Sequence, residues 1–176
     1  FALDNNPVKC AEYMVDKHVV KMVLETAQLL SIAHRICDGT MEVQRINGRS
    51  TWVYTLPDSM ITIYKATHKN HPSAIWARAT NNNYNWLYVH FLALLDEYTY
   101  RYGKVHACSK LKELLKNPPR NIPFGPLMPF ATAMDMRYIV PNDPVQSYRN
   151  YYRTGKSHLH SWTKRNKPEW ILENKE

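Results

Sequence analysis

The feature that most constrains the fold is a long apolar stripe between Lys17 and Cys37. Its members recur at helical spacing: Val19, Val20, Val23, Ala27, Leu30 and Ala33. A stripe of this width buries one face of a helix against a core. Asp16 stands where it can cap the start of this helix, and Asp38-Gly39 is expected to end it. The core must therefore form around one helix of about six turns.

Other helices are predicted where a capping residue precedes proline. Asn6-Pro7 predicts a short helix to about Met14, after an extended or β entry at Phe1 to Leu3. His71-Pro72 opens a long helical region that closes at Gly103. Smaller helical segments are expected at Met60 to Ala66, Ser109 to Lys116, Ser147 to Arg153 and Lys156 to Arg165. The predicted fold is therefore mainly α, a compact single-domain helical bundle.

The 176 residues suit one domain spanning 1–176. An insertion over 38–67 carries Asn47-Gly48 between two β-prone runs, which is a strong signal for a β-hairpin. Prolines concentrate in 117–144, where we expect an ordered wrap that buries Phe124, Leu127, Met128, Phe130 and Met134. Basic and aromatic helices are expected over 145–170, with Trp170 anchoring the tail.

The formal net charge of +8 concerns partners more than fold. It fits either a solvated surface or phosphate binding with release of counterions. The twelve Tyr and five Trp favour nucleic acid slightly, because aromatic rings stack on bases. DNA is the leading partner. No membrane span and no signal peptide are expected, and a monomer is favoured.

The three cysteines are Cys10, Cys37 and Cys108. Their wide spacing is typical of neither a disulfide framework nor a zinc site. We therefore expect reduced thiols and a cytoplasmic protein.

One candidate catalytic set lies on the main helix. His18 and Glu25 are seven residues apart, so they share a helix face, and Lys21 lies on that face between them. The alternative is that Lys21 and Glu25 form an ordinary exposed ion pair four residues apart.

Three histidines, His34, His68 and His71, raise the question of a metal site. Their spacing fits no recognised ligand pattern, and no cysteine or carboxylate stands at a ligand offset. We therefore predict neither a metal nor another cofactor.

The C-terminal region interleaves cations with aromatic rings, a pattern suited to tracking a phosphate backbone. The alternative is a helix whose tyrosines pack inward while its cations stay in water. The predicted nucleic-acid contacts are His71, Arg78, Arg149, Tyr152, Arg153, Lys156, Lys164 and Arg165.

Three separated stretches together resemble one family, the pyrimidine-dimer DNA glycosylases of the phage endonuclease V type. The first stretch contains Asp16, His18 and Glu25. The family has the same residue types at the same spacing: an Asp, a His two residues later, and a catalytic Glu seven residues after the His. The second, Asn70-His71-Pro72, resembles a Gly-His entry to a central helix. The third, from Tyr148 to Lys156, resembles a Tyr-Tyr-Gly-Lys segment. The chain also resembles a group of phage proteins that share DKHVVKM.LETAQLL and HPSAIWAR.

The resemblance implies base-excision chemistry and a compact helical fold. An amino-terminal amine would attack the sugar, and Glu25 would be the catalytic carboxylate, with His18 as a DNA-contacting or positioning residue. Lys21 could supply an amine instead. The family has arginines one position before and three after its Glu, and this chain has Leu24 and Gln28 there.

Other functions remain open from the sequence. One is a DNA-binding protein without catalysis, or a structural protein of a phage particle. Another is a small-molecule enzyme that binds nucleotides, with a phosphate pocket formed by His18, Lys21, His34, His71 and Arg78.

Overall fold

The computed structural model describes residues 1–172 and is mainly helical, as predicted. The helices are α1 (Pro7–Glu12), α2 (Asp16–Asp38), α3 (Pro72–Ala77), α4 (Asn81–Tyr102), α5 (Lys112–Leu115), α6 (Pro144–Asn150) and α7 (Glu169–Leu172). Two strands, β1 (Thr40–Ile46) and β2 (Arg49–Thr55), form one hairpin. Short 3-10 turns lie at Asp58–Met60, Ala107–Leu111, Met136–Tyr138 and Ser157–Leu159, and a π turn lies at Tyr151–Gly155.

The core forms where α2 packs against α4 and α1. Five of the six residues of the predicted apolar stripe on α2 are fully buried, whereas Val20 is 42% exposed. The start of α2 differs from the prediction, because the helix cap is Val15 and no side chain caps it. Asp16 is the first residue of the helix, and its carboxylate accepts hydrogen bonds from distant parts of the chain instead.

The predicted long helix from His71 is two helices, separated at Arg78–Thr80. His71 caps α3 through Nδ1, which accepts from the Ser73 backbone, and the Thr80 hydroxyl caps α4. The helical turn predicted for Met60 to Ala66 is wrong beyond Met60, because the turn ends there. Gly103 ends α4 with a positive φ, as its position predicts.

The hairpin is confirmed. Asn47 and Gly48 both have positive φ, as a two-residue type I′ turn requires. Met41, Val43 and Trp52 are each more than half exposed. The hairpin is attached to the body by Arg35, whose guanidinium donates to the carbonyls of Tyr54, Ile63 and Tyr64.

The proline-rich segment is ordered, but its predicted burial is wrong for three of the five named residues. Phe124 is 93% exposed, and Leu127 and Met128 are each 46% exposed. Phe130 and Met134 pack against the core. The difference arises because this part of the segment is held to the start of α4 by its backbone. Its N–H and C=O groups are hydrogen bonded to side chains of Thr80, Asn81 and Asn83, so apolar burial is not what holds it.

The basic helix predicted over Lys156 to Arg165 is also wrong, since only the turn Ser157–Leu159 is helical there. Backbone N–H groups that a helix would use internally bond elsewhere, as where Thr163 donates to Asp16. Trp170 is buried against Tyr13 and Tyr152, so the tail is anchored as predicted. Cys10 and Cys108 are buried and Cys37 is half-buried, all as free thiols. Within residues 1–172, no helix combines the length and apolar character of a membrane span.

One buried cation links the elements around the core. The Arg101 side chain has no exposed surface and donates to the carboxylates of Glu97 and Asp16 and to the carbonyls of Glu12 and Met14. Glu97 also accepts from Arg165, and Asp16 from Ser161 and Thr163. Helices α1, α2 and α4 and the C-terminal segment are therefore joined at one network.

We predict that Arg101→Met lowers the free energy of unfolding by about 3–5 kcal/mol, because the buried Glu97 and the half-buried Asp16 each lose a charged partner. Urea unfolding followed by circular dichroism measures this change. Arg137→Met is the matched control, because Arg137 pairs with Asp135 at side-chain exposures of 70% and 55%. The control should cost no more than about 1 kcal/mol. Equal losses in the two variants would contradict the assigned role of Arg101.

Candidate active site

A cavity of about 570 Å³ lies where α2, α3 and α4 meet the proline-rich segment. Its polar lining comes mainly from α2 and from the segment that leads into α3: Lys21, Glu25, Thr26, Gln28, Thr67, His68, His71 and Ser73. Its aromatic lining comes from Phe1, Trp76, Trp86, Phe130 and Tyr148, with His90 beside them. The volume lies within the usual range of ligand pockets, roughly 300–1000 Å³.

The aromatic wall is a packed cluster rather than a set of isolated rings. The ring of Phe130 lies 4.7 Å from Trp86 and 5.4 Å from Trp76, centroid to centroid. Trp86 stacks on His90 at 5.2 Å. The Trp86 indole N–H donates to the Asn5 carbonyl, which fixes the ring. The wall therefore offers preorganised aromatic surface to a planar group in the cavity.

Lys21 and Glu25 lie at the solvent-facing edge of the cavity. Lys21 Nζ is 3.1 Å from a Glu25 carboxylate oxygen, and the two side chains are 63% and 41% exposed. This is the exposed ion pair that the spacing allowed, and both partners also line the cavity. The pair thus places an amine and a carboxylate next to each other beside the aromatic wall.

His18 lies behind the cavity wall instead of lining it. Its ring stacks on Phe1 with centroids 4.4 Å apart, and Nδ1 is hydrogen bonded to the Tyr152 hydroxyl. Burial, together with nearby cations that include Lys156 and Lys21, lowers the pKa of His18 to about 3. His18 is therefore neutral near pH 7, and its contacts fix the ring of Phe1 at the cavity.

The predicted nucleic-acid contacts fall into two groups. Several side chains are used inside the protein. Arg149 pairs with Asp4, Arg153 donates to the Trp170 carbonyl, and Arg165 pairs with Glu97. Tyr152 has no exposed surface, so it cannot stack on a base as the sequence pattern suggested. Burial also raises the pKa of its hydroxyl.

The others lie nearer the surface. His71 lines the cavity, and Lys156 Nζ lies 6.0 Å from the centre of the Phe1 ring. Arg78 donates to the Lys69 carbonyl and is half-buried, and exposed Lys164 donates to the Tyr100 carbonyl. Only His71 of the predicted set reaches the cavity itself.

The three histidines considered as metal ligands do not form one cluster. His68 and His71 line the cavity, whereas His34 is hydrogen bonded to Tyr84, whose hydroxyl donates to the Leu115 carbonyl. Among residues 1–172 no three His, Cys, Asp or Glu side chains are grouped as metal ligands would be.

Sequence reasoning missed most of the aromatic wall. Trp86 and His90 are four residues apart on α4, and this spacing could have indicated that they share a face. Phe130 carried no such signal, because it follows a proline in an irregular segment. His90 is buried, and its Nδ1–H donates to the Pro7 carbonyl.

We predict that acid destabilises the fold through these histidines. Burial lowers the pKa of His90 to about 4, below its unfolded value of about 6.5. The stability that His90 contributes is complete above pH 6.5 and falls as the pH drops toward 4, by a few kcal/mol in order of magnitude. Urea unfolding between pH 7 and 4 measures this loss. His90→Asn keeps a donor but does not titrate, so its stability should vary less with pH; an unchanged slope would refute the assignment.

Comparison with known proteins gives a family for the chain. A family model described as pyrimidine dimer DNA glycosylase matches residues 1–110, which include α1 to α4 and most of the cavity lining. Comparisons with curated proteins and with solved structures gave no significant match. Because the family model spans more than half of the 176 residues, the chain belongs to the pyrimidine dimer DNA glycosylase family, a family of DNA-repair enzymes.

Proposed function

We propose that this protein is a base-excision DNA glycosylase with associated strand cleavage, and that it removes a damaged or modified pyrimidine extruded into the cavity. The observation that carries the proposal is the position of Glu25. Its carboxylate lies at the open edge of a cavity with aromatic walls, on a helix within the region matched by the family model.

The cavity suits an extruded base. An enzyme that acts on a base in a duplex must take the nucleotide out of the stack, and the base is then held between aromatic side chains. Trp76, Trp86 and Phe130 provide the apolar surface for that contact. Thr26, Gln28 and His71 add donors and acceptors on the cavity lining that can meet the edge of a pyrimidine.

The proposed reaction begins when an amine attacks the sugar C1′ and the bond from C1′ to the base nitrogen breaks. The base leaves with the bonding electron pair and takes up a proton. Loss of the amine proton and opening of the sugar give a Schiff base, and elimination of the 3′ phosphate then cleaves the strand. Glu25 stabilises the positive charge that develops on the sugar and accepts the proton lost in these steps.

Two sources of the amine are considered, a lysine at the cavity and an amino-terminal amine. Lys21 Nζ lies 3.1 Å from the carboxylate of Glu25. Residue 1 also lines the cavity, and the resemblance implies a nucleophile at the amino terminus. A neutral amine is required for attack. The ring of Phe1 stacks on His18, which holds the first segment of the chain at the cavity.

We predict that Glu25→Gln abolishes base release and strand cleavage while leaving DNA affinity within about threefold. The amide keeps the shape of the side chain but cannot stabilise a cation or accept a proton. Single-turnover assays on ultraviolet-irradiated duplex DNA measure the chemistry, and fluorescence anisotropy measures binding. Glu113→Gln, an exposed residue on α5, is the matched control and should retain full activity. A fully active Glu25→Gln variant would exclude the proposed role.

We also predict a covalent adduct when the protein is mixed with irradiated or abasic duplex DNA and borohydride. Borohydride reduces a Schiff base to a stable amine, and peptide mapping of the adduct distinguishes Lys21 from a terminal amine. Lys21→Arg keeps the charge but should eliminate the adduct only if Lys21 is the nucleophile. Absence of an adduct on every substrate, with salt-dependent binding retained, would favour the binding protein without catalysis. Binding of free nucleotides with none to DNA would favour the small-molecule enzyme.

A further inference from the structure

The proline-rich segment presents one loop with unusual exposure, residues 124–128, here termed the apolar loop. Phe124 is 93% exposed, and Leu127 and Met128 are each 46% exposed. No aromatic partner for the Phe124 ring is found within residues 1–172. A single exposed apolar side chain is common on protein surfaces. The apolar loop differs from an ordinary exposed loop in that hydrogen bonds hold its backbone in place.

The apolar loop is fixed to the start of α4 by a set of hydrogen bonds. The Asn81 side chain accepts from Gly125 N–H at 2.9 Å, and Asn82 donates to the Gly125 carbonyl at 2.7 Å. Thr80 donates to the Pro126 carbonyl at 2.9 Å, and Asn83 accepts from Met128 N–H at 2.8 Å. The loop therefore has a defined backbone, so the exposure of Phe124 does not result from a loose segment.

Gly125 is part of this attachment. A Cβ at this position would lie 2.9 Å from the Thr80 methyl carbon, so the loop approaches α4 closely only because residue 125 is glycine. The preceding residue, Phe124, is exposed to solvent while the loop beside it is held to α4.

The apolar loop borders the cavity. The Trp76 indole N–H donates to the Met128 carbonyl at 3.3 Å, and Trp76 is part of the aromatic wall. Phe130, two residues further along the chain, lines the cavity itself. The segment that carries the exposed Phe124 ring therefore continues directly into the wall of the cavity proposed for the extruded base.

Exposed cations precede the apolar loop in the chain. Lys116 and Arg120 are exposed and precede the loop, and Arg78 lies two residues before Thr80. The nearby Asp38 carboxylate accepts from the backbone N–H groups of Arg120 and Asn121. An exposed apolar ring on a chain with a formal net charge of +8 is suited to duplex DNA, whose phosphates attract the cations while the ring enters the stack.

We propose that Phe124 is a wedge that inserts into the DNA base stack beside the extruded nucleotide. Extrusion opens a gap in the stack, and an apolar ring that fills the gap keeps the duplex from closing. The proposal rests on the proposed function, since it takes extruded DNA as the ligand. It adds a residue that binds the duplex outside the cavity and sets how readily a base is extruded.

The test uses the full chain and a duplex that carries a tetrahydrofuran abasic analogue with 2-aminopurine as the adjacent base. This probe cannot be cleaved, so it reports on binding and unstacking without chemistry. Wild-type protein should raise the 2-aminopurine fluorescence as the neighbouring base unstacks. Phe124→Ala should weaken binding roughly tenfold and remove the fluorescence rise. Phe124→Tyr, which keeps an aromatic ring, should restore both signals.

Val105→Ala is the matched control. Val105 is 75% exposed and lies beyond the C-terminal end of α4, a helix of 22 residues or about 33 Å, away from the apolar loop at its N-terminal end. It should bind as wild type does. All variants should keep the wild-type urea midpoint, because these side chains make few contacts in the folded protein.

The two proposals fail separately. If Phe124→Ala binds the duplex and unstacks its base like the wild type, the wedge is overturned while the glycosylase proposal stands. If the wild type itself fails to unstack the probe, the wedge is likewise overturned. If Glu25→Gln retains base release but Phe124→Ala loses unstacking, the wedge stands and the catalytic assignment falls. A wild-type dimer that Phe124→Ala converts to a monomer, with DNA binding unchanged, would assign the loop to self-association instead.

Discussion

The buried guanidinium of Arg101 is the constraint on which the arrangement of the site depends. It binds Glu97 on its own helix, Asp16 at the start of α2, and the carbonyls of Glu12 at the end of α1 and Met14 just beyond it. A buried charge is tolerated only when its hydrogen-bonding groups are matched, so these elements have little freedom to rotate or slide. Fixing Asp16 fixes the rotation of α2, and Glu25 lies nine residues further along that helix. The position of the proposed catalytic carboxylate therefore depends on contacts at the start of the helix.

The two sides of the cavity provide different kinds of side chain. Helix α2 provides the charged pair Lys21 and Glu25, which suits reaction at a sugar. Helices α3 and α4 and the proline-rich segment provide the rings, which suit recognition of a planar base. The rings are held by hydrogen bonds to backbone groups outside the cavity, such as that from Trp86 to the Asn5 carbonyl. Preorganised walls of this kind lower the entropy that ligand binding must overcome.

Much of the basic character of the C-terminal region has a structural use. Arg149 and Arg165 pair with Asp4 and Glu97 and so join the C-terminal region to the rest of the chain. Arg153 donates to the Trp170 carbonyl within that region. Tyr152 is buried and bonded to His18. The alternation of cations and aromatic rings in this region therefore reflects the packing of the C-terminal segment. The exposed cations Lys116 and Arg120, which precede the apolar loop, and Lys21 at the cavity lie outside the C-terminal region.

The sequence by itself determined the elements whose causes are local. The apolar stripe of α2, the Asn6 cap, the Asn47-Gly48 turn and the end of α4 at Gly103 all follow from side-chain periodicity or from the φ values that these residues tolerate. It also placed Lys21 and Glu25 on one helix face. Only the tertiary structure decided what that face meets. The aromatic wall joins α3, α4 and an irregular segment, the exposure of Phe124 depends on amides of α4, and the cations of Arg149 and Arg165 are taken up by distant carboxylates. These are contacts between residues far apart in the chain, and no local spacing encodes them.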